Sequence, residues 1–169
     1  MKLHTSLQVA QYLIDKAAED KNTLTPMQLL KLVYMCHGWM LGIHSRPLIK
    51  DRVEAWRYGP VIPDLYHSIK HYRDKPVQKL GGFWNKAKFD ADEFDPDEKS
   101  IMDQVYDLYG KYTGIQLSAL THQSGTPWDV SYNESERNIS ISDDIIQNYY
   151  WGLANGNAEE STATAAIDG

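Results

Sequence analysis

The stretch from Met27 to Ile43 limits the possible folds of this chain more than any other part of it. Twelve of its seventeen residues are apolar. At about 100° per residue, the main exceptions fall on one narrow stripe of a helix: Gln28, Lys31, Gly38 and Gly42. A helix that is apolar on nearly all sides is a buried one. We therefore expect a mainly α, compact multi-helix domain built around a central helix over about 26–44.

Two glycines interrupt this helix. Gly38 and Gly42 are four residues apart, so they lie on the same face. Each lowers helix propensity by about 1 kcal/mol relative to alanine. We expect close packing of another part of the backbone against this face to compensate for that cost.

Other helices are predicted from their capping signals and apolar spacing over 6–19, 63–72, 96–112, 115–123, 127–132 and 142–153. Thr25 with Gln28, and Asp95 with Glu98, have the spacing of a capping box with proline at the first helical position. Thr126 with Asp129 is a weaker case because the Asp side chain is shorter. A small extended or hairpin element is expected near 50–62, and a second one is possible near 80–90.

Length and composition are those of one ordinary globular domain. The chain has 169 residues, and we assign 1–154 to a single domain and the small, polar stretch 155–169 to a flexible tail. The one cysteine, Cys36, fits a reducing cytoplasm. The N-terminal stretch is amphipathic and does not have the pattern of an export signal. Polar residues interrupt the long apolar stretch, so no membrane span is expected.

The formal net charge of −6 disfavours a nonspecific binder of polyanions, so a nucleic-acid partner is not expected. The charge is uneven, however. Residues 50–88 contain nine Lys or Arg against four acids. This basic stretch is either an ordinary solvated face or a surface that meets an acidic partner.

Catalytic signals are weak. The chain has no glycine-rich phosphate loop, no HExxH and no CxxC. His67 and His71 share a helix face and would need His122 or Asp64 to complete a zinc site. Cys36 and His37 are adjacent and so point about 100° apart on the helix, which disfavours a thiol–imidazole pair. We expect no catalytic residue, no metal and no cofactor, with a metal-dependent hydrolase as an alternative. His37 is expected to be buried, neutral and hydrogen-bonded.

A motif in the first half of the chain combines Thr25, Lys31, Tyr34 and Trp39 with the later run Glu54-Ala55-Trp56-Arg57-Tyr58-Gly59-Pro60-Val61. With this motif, residues 24–72 resemble the Panacea antitoxin domain, the SocA-like family often encoded in prophages. The later run Leu117-Ser118-Ala119-Leu120-Thr121-His122, then Pro127-Trp128 and the closing 141–145, extends it more loosely.

The resemblance implies a mostly helical domain with a small extended element. It also implies a cytoplasmic bacterial antitoxin that binds and neutralises a protein toxin encoded by a neighbouring gene. It supplies no catalytic residue, and it does not identify the toxin. One alternative is an adaptor that delivers the toxin to a protease, in which case a protease or chaperone would be a further partner. Another is a phage-associated regulatory protein.

The run 54–60 holds the candidate docking residues. Trp, Arg and Tyr, here Trp56, Arg57 and Tyr58, are the residue types enriched at interface hot spots, and Gly59-Pro60 fixes the turn that presents them. The partner-binding prediction adds the nearby basic side chains Arg52, Lys70 and Arg73. A structural role is the alternative. In it, Trp56 packs on the central helix and Arg57 holds a carboxylate such as Glu54, or a backbone carbonyl. Thr25, Lys31, Tyr34, Trp39, Gly59, Pro60, His122 and Trp128 are predicted to be structural.

Overall fold

The computed structural model describes residues 2–78, 80 and 93–156. Its elements in chain order are α1 (Ser6–Glu19), α2 (Pro26–His44), β1 (Glu54–Trp56), β2 (Gly59–Val61), α3 (Pro63–Ile69) with a 3₁₀ turn (Lys70–Tyr72), α4 (Pro96–Tyr109), α5 (Gly114–Thr121), α6 (Pro127–Ser131), β3 (Ile139–Ser140) and α7 (Asp143–Ala154). The mainly α prediction is confirmed. The predicted extended element at 80–90 and nearly all of the predicted tail lie outside the described residues.

Helix α2 occupies the centre, as its apolar pattern predicts. It packs against α1, α3, α4, α5 and α7, and also against β2. Its largest side chains are almost fully buried, among them Tyr34, Trp39 and Met40. None of the described helices combines the length and apolar character needed to cross a bilayer.

The close neighbour that the two α2 glycines require is α7. A Cβ atom added at Gly42 would lie 2.6 Å from the backbone carbon of Tyr150 and 2.8 Å from the nitrogen of Trp151. A Cβ atom added at Gly38 would meet the Tyr150 ring instead. That ring lies edge-on to Trp39, with 5.1 Å between ring centroids. The expectation of close packing at the glycines is therefore confirmed.

Helix starts follow the capping signals. Thr25 and Asp95 each accept a hydrogen bond from the backbone nitrogen three residues on, and the side-chain oxygens of Gln28 and Glu98 accept one from the backbone N–H of the cap. Thr126 also caps its helix, but the Asp129 carboxylate accepts from the Gly125 nitrogen at 2.9 Å and does not reach Thr126. The shorter side chain of Asp accounts for this difference.

His37 is fully buried and joins three segments. Its Nδ1 accepts from the backbone nitrogens of Leu48 and Ile49 at 3.3 and 3.4 Å. Its Nε2 donates to the Asp143 carboxylate at 2.9 Å. Because Nδ1 is an acceptor, the ring is the neutral tautomer protonated on Nε2, as expected from the sequence. Cys36, also buried, has its thiol pKa raised by burial.

We expect His37→Phe to lower the free energy of unfolding by about 2–4 kcal/mol. Phenylalanine fills a similar volume but leaves two buried backbone N–H groups without an acceptor. Urea denaturation at pH 7.5 measures the change, with the exposed His71→Phe as the matched control. A loss below about 1 kcal/mol would show that the two N–H groups find other acceptors.

The small sheet has the order β2–β1–β3, and both pairings are antiparallel. Trp56 pairs with Gly59, so Arg57 and Tyr58 form a two-residue hairpin turn. Gly59 has a φ of +117°, which favours glycine there. Strand β3 was not predicted, because two residues are too short to show an alternating pattern.

Candidate partner-binding groove

A groove separates the hairpin from the first half of α2 and from α3. We call it the α2–hairpin groove; its volume is about 510 Å³. Its lining comes from three places: Pro26, Met27, Leu30 and Lys31 of α2; Trp56, Arg57, Tyr58 and Val61 of the hairpin; and Tyr66, Lys70 and Arg73 of α3 and the turn after it. A cleft of this size is typical of sites that hold one or a few side chains of a partner or a small ligand.

The groove brings together five of the six predicted docking residues: Trp56, Arg57, Tyr58, Lys70 and Arg73. The sixth, Arg52, does not line it. The Arg52 guanidinium lies 3.0 Å from the Glu54 carboxylate and 3.5 Å from the backbone carbonyl of Asn138, beside β3. The docking role of all six residues remains a prediction.

Arg57 does not hold Glu54, contrary to one expectation. Arg52 does so instead, because residues two apart in an extended chain point to the same side. Arg57 belongs to the hairpin turn, where side chains no longer alternate between the two faces of the sheet. Its guanidinium lies 5.5 Å from the centre of the Tyr58 ring, and both side chains are exposed.

The floor of the groove is apolar and firmly held. Leu30 and Val61 are each only 7% exposed. The half-buried Trp56 ring meets the Tyr66 ring edge-on at 5.0 Å between centroids. The indole N–H of Trp128 donates to the Trp56 carbonyl at 2.5 Å. Tyr66 thus packs against the Trp56 ring, and Trp128 holds the Trp56 backbone.

One rim of the groove is apolar. Tyr58 is 68% exposed and Met27 is 41% exposed. Gly114 abuts the Met27 side chain, which a Cβ atom at Gly114 would approach to 2.7 Å. The next residue, Ile115, is 79% exposed. The start of α5 therefore extends the apolar surface beyond Met27.

Lys31 clamps the hairpin to the central helix. Its Nζ donates to the carbonyls of Pro60 at 2.9 Å and Tyr58 at 3.3 Å. The Ser118 hydroxyl donates to the same Tyr58 carbonyl at 2.7 Å. Burial lowers the pKa of the Lys31 amine to about 7. Sequence reasoning placed Lys31 in the family motif and missed this role; a lone lysine inside a buried helix was the available signal.

Gly59 gives the clamp its space, since a Cβ atom there would lie 2.8 Å from Lys31 Nζ. His122 Nδ1 contacts the Ser118 carbonyl, and its ring meets Trp128 at 5.3 Å. The expectation that His122 bonds within the fold is thus confirmed. Ser118 and Trp128, which donate to the Tyr58 and Trp56 carbonyls, tie the hairpin to α5 and α6.

The alternative zinc site would need His67, His71 and either His122 or Asp64 to converge. His67 borders a shallow cleft with Asp64. The His71 ring is tilted against the Tyr72 ring, with 4.3 Å between centroids, and His122 lies beside Ser118. Among residues 2–78, 80 and 93–156, no group of three or more His, Cys, Asp or Glu side chains is arranged to hold a metal ion.

Comparison with known proteins gives two matches. The family model described as antitoxin SocA-like, Panacea domain, matches residues 29–129. The chain is also 32% identical over 140 residues to antitoxin SocA of Caulobacter vibrioides (strain NA1000 / CB15N), covering 79% of this chain and 73% of that protein. No solved structure matches significantly. Most of the groove lining falls within the matched residues.

Proposed function

Because the chain belongs to the family of SocA-like antitoxins with a Panacea domain, we propose that it neutralises a toxin protein by direct, stoichiometric binding in the α2–hairpin groove. In this proposal it acts by covering a surface of the toxin and catalyses no reaction. The two proteins meet in the cytoplasm, and the toxin is the product of a neighbouring gene.

The observation that carries the proposal is the prearranged groove. Trp56 is held by Tyr66 and Trp128, and the turn that carries Arg57 and Tyr58 is held by Lys31 and Ser118. Ordering a side chain on binding costs about 0.5–1.5 kcal/mol. Hot-spot residue types on an already ordered turn avoid much of that cost.

Co-expression tests the proposal. The neighbouring gene product is expressed alone and with this protein, and growth and complex formation are measured. We expect toxicity alone, rescue on co-expression and a 1:1 complex on size-exclusion chromatography. A constant toxin level during rescue indicates masking, whereas a falling level indicates hand-over to a protease. Rescue without any complex would contradict the proposal.

We expect the double variant Arg57→Ala/Arg73→Gly to raise the Kd for the toxin by about 100-fold. A hydrogen bond to a charged group is worth about 1.5–3 kcal/mol, and two are removed. Arg73 has a φ of +56°, a conformation that favours glycine. The free energy of unfolding should therefore not fall, so misfolding cannot explain weaker binding.

Isothermal titration calorimetry measures the affinity. Arg137→Ala is the matched control, since Arg137 is an exposed arginine outside the groove lining. An equal effect of Arg137→Ala, or a change below threefold in the double variant, would place the toxin on another surface.

A further inference from the structure

We propose that the toxin segment that enters the α2–hairpin groove is an acidic amphipathic helix. Its apolar side chains lie over Leu30 and Trp56, and its carboxylates face Arg57, Lys70 and Arg73. This inference rests on the proposed function and names the chemistry of its partner.

The charge of the groove points to carboxylates. Besides Lys31, which is buried and donates to the hairpin, its lining contains three exposed basic residues, Arg57, Lys70 and Arg73, and no acidic one. Within the described part of the chain, none of the ion pairs involves Arg57, Lys70 or Arg73. Exposed cations beside an apolar, low-dielectric wall attract an acidic partner more strongly than isolated surface charges do. The chain as a whole carries −6, so this local positive field is a specific feature.

The apolar part of the groove favours a protein segment over a nucleic acid. Leu30, Val61 and Met27 offer no hydrogen-bond donor to a phosphate or a base edge. The Trp56 ring is already packed against Tyr66. A leucine or phenylalanine side chain fills such a floor and removes its apolar surface from water, which favours binding.

The hairpin edge favours a helix over an added strand. An extended peptide would bind by pairing its backbone with a free strand edge. At β2, Pro60 has no N–H to donate, and Lys31 already occupies the carbonyls of Tyr58 and Pro60. β1 is paired on both sides, with β2 and β3. The groove is therefore suited to bind its partner through side chains. An amphipathic helix binds in this way, because its backbone groups are already hydrogen-bonded within the helix.

Selection from a random 16-residue peptide display library tests the inference on the full chain. The wild-type protein and the Arg57→Glu/Arg73→Glu variant are screened in parallel, after thermal melts show that both are folded. We expect wild-type binders with apolar residues at helical spacing and several Asp or Glu. We expect these peptides to lose at least tenfold in affinity for the variant.

Two follow-up measurements sharpen the test. Replacing the peptide acids by lysine should restore binding to the Arg57→Glu/Arg73→Glu variant and weaken binding to the wild type. A central proline should weaken binding to the wild type at least tenfold, because proline breaks a helix. A labelled single-stranded 20-mer DNA should bind more weakly than the selected peptides at 150 mM salt.

Several results would overturn the inference. One is a selection that enriches no peptide, or only peptides without acidic residues. Another is an affinity for the selected peptides that the central proline or Arg57→Glu/Arg73→Glu leaves unchanged. A third is single-stranded DNA that binds the protein as tightly as the selected peptides do. If neutralisation of the toxin persists in these cases, only the inference on the groove partner fails. If the wild-type protein fails to neutralise the toxin, the proposed function itself fails.

Discussion

Gly42→Ala is expected to lower the free energy of unfolding by about 3 kcal/mol, although alanine favours a helix by about 1 kcal/mol over glycine. The added methyl group would lie 2.6 Å from the backbone carbon of Tyr150. Backbone cannot rotate away as a side chain can, so α7 as a whole has to shift. Chemical denaturation with urea measures the loss.

Gly38→Ala provides the internal comparison. The atoms nearest to its methyl group would all belong to the ring of Tyr150. In a double-mutant cycle with Tyr150→Leu, we expect coupling above about 1 kcal/mol for Gly38 and little for Gly42. Equal coupling at both glycines, or a Gly42→Ala variant as stable as the wild type, would contradict the proposed close approach of the two backbones.

The second large effect is a pH dependence set by Lys31. Its amine has a pKa of about 7 in the folded protein and an ordinary value of 10.5. Between these values the unfolded chain binds a proton that the folded chain does not, so stability rises with pH. Over the whole range between the two pKa values, the free energy of unfolding rises by on the order of 5 kcal/mol. We expect roughly 2 kcal/mol of this rise between pH 7 and 9.

Lys31→Met should abolish this rise. At pH 9 the variant should be less stable than the wild type, because the buried Pro60 carbonyl loses its donor. At pH 7 the difference in free energy of unfolding between the variant and the wild type should be smaller, because the buried charged amine destabilises the wild type there. Lys70→Met, at an exposed position, should keep the wild-type profile. Parallel profiles for Lys31→Met and the wild type would show that the Lys31 amine stays charged in the fold.

Much of the fold could be predicted because its signals are local. The apolar surface of α2 and the caps at Thr25 and Asp95 each depend on residues within a few positions of one another. The expected turn was placed two residues too late, because Arg57 and Tyr58 form it and Gly59-Pro60 begin β2. Strand β3 could not be predicted, because its pairing with β1 is set by tertiary contacts. The sequence likewise showed that Gly38 and Gly42 needed a close neighbour, but α7 lies about a hundred residues further on.

The groove was predicted in part for the same reason. Trp56, Arg57 and Tyr58 are adjacent in sequence, and Lys70 and Arg73 follow just after α3, so residue types and spacing pointed to them. Arg52 looked equivalent by charge, yet the extended backbone turns it toward Glu54. The clamp from Lys31 to the hairpin depends on the packing of β2 against α2, which no local pattern reveals.

The packing of α7 on α2 has a consequence for how the protein is made. Helix α2 leaves the ribosome early, but the helix that covers Gly38 and Gly42 is the last described element, Asp143–Ala154. Until that helix emerges, the α2 face at Gly38 and Gly42 and the neighbouring Trp39 lack the Tyr150 ring that covers them, and chaperones bind such incompletely packed chains. Interrupted translation products should therefore be cleared quickly, so that only finished molecules accumulate in the cell.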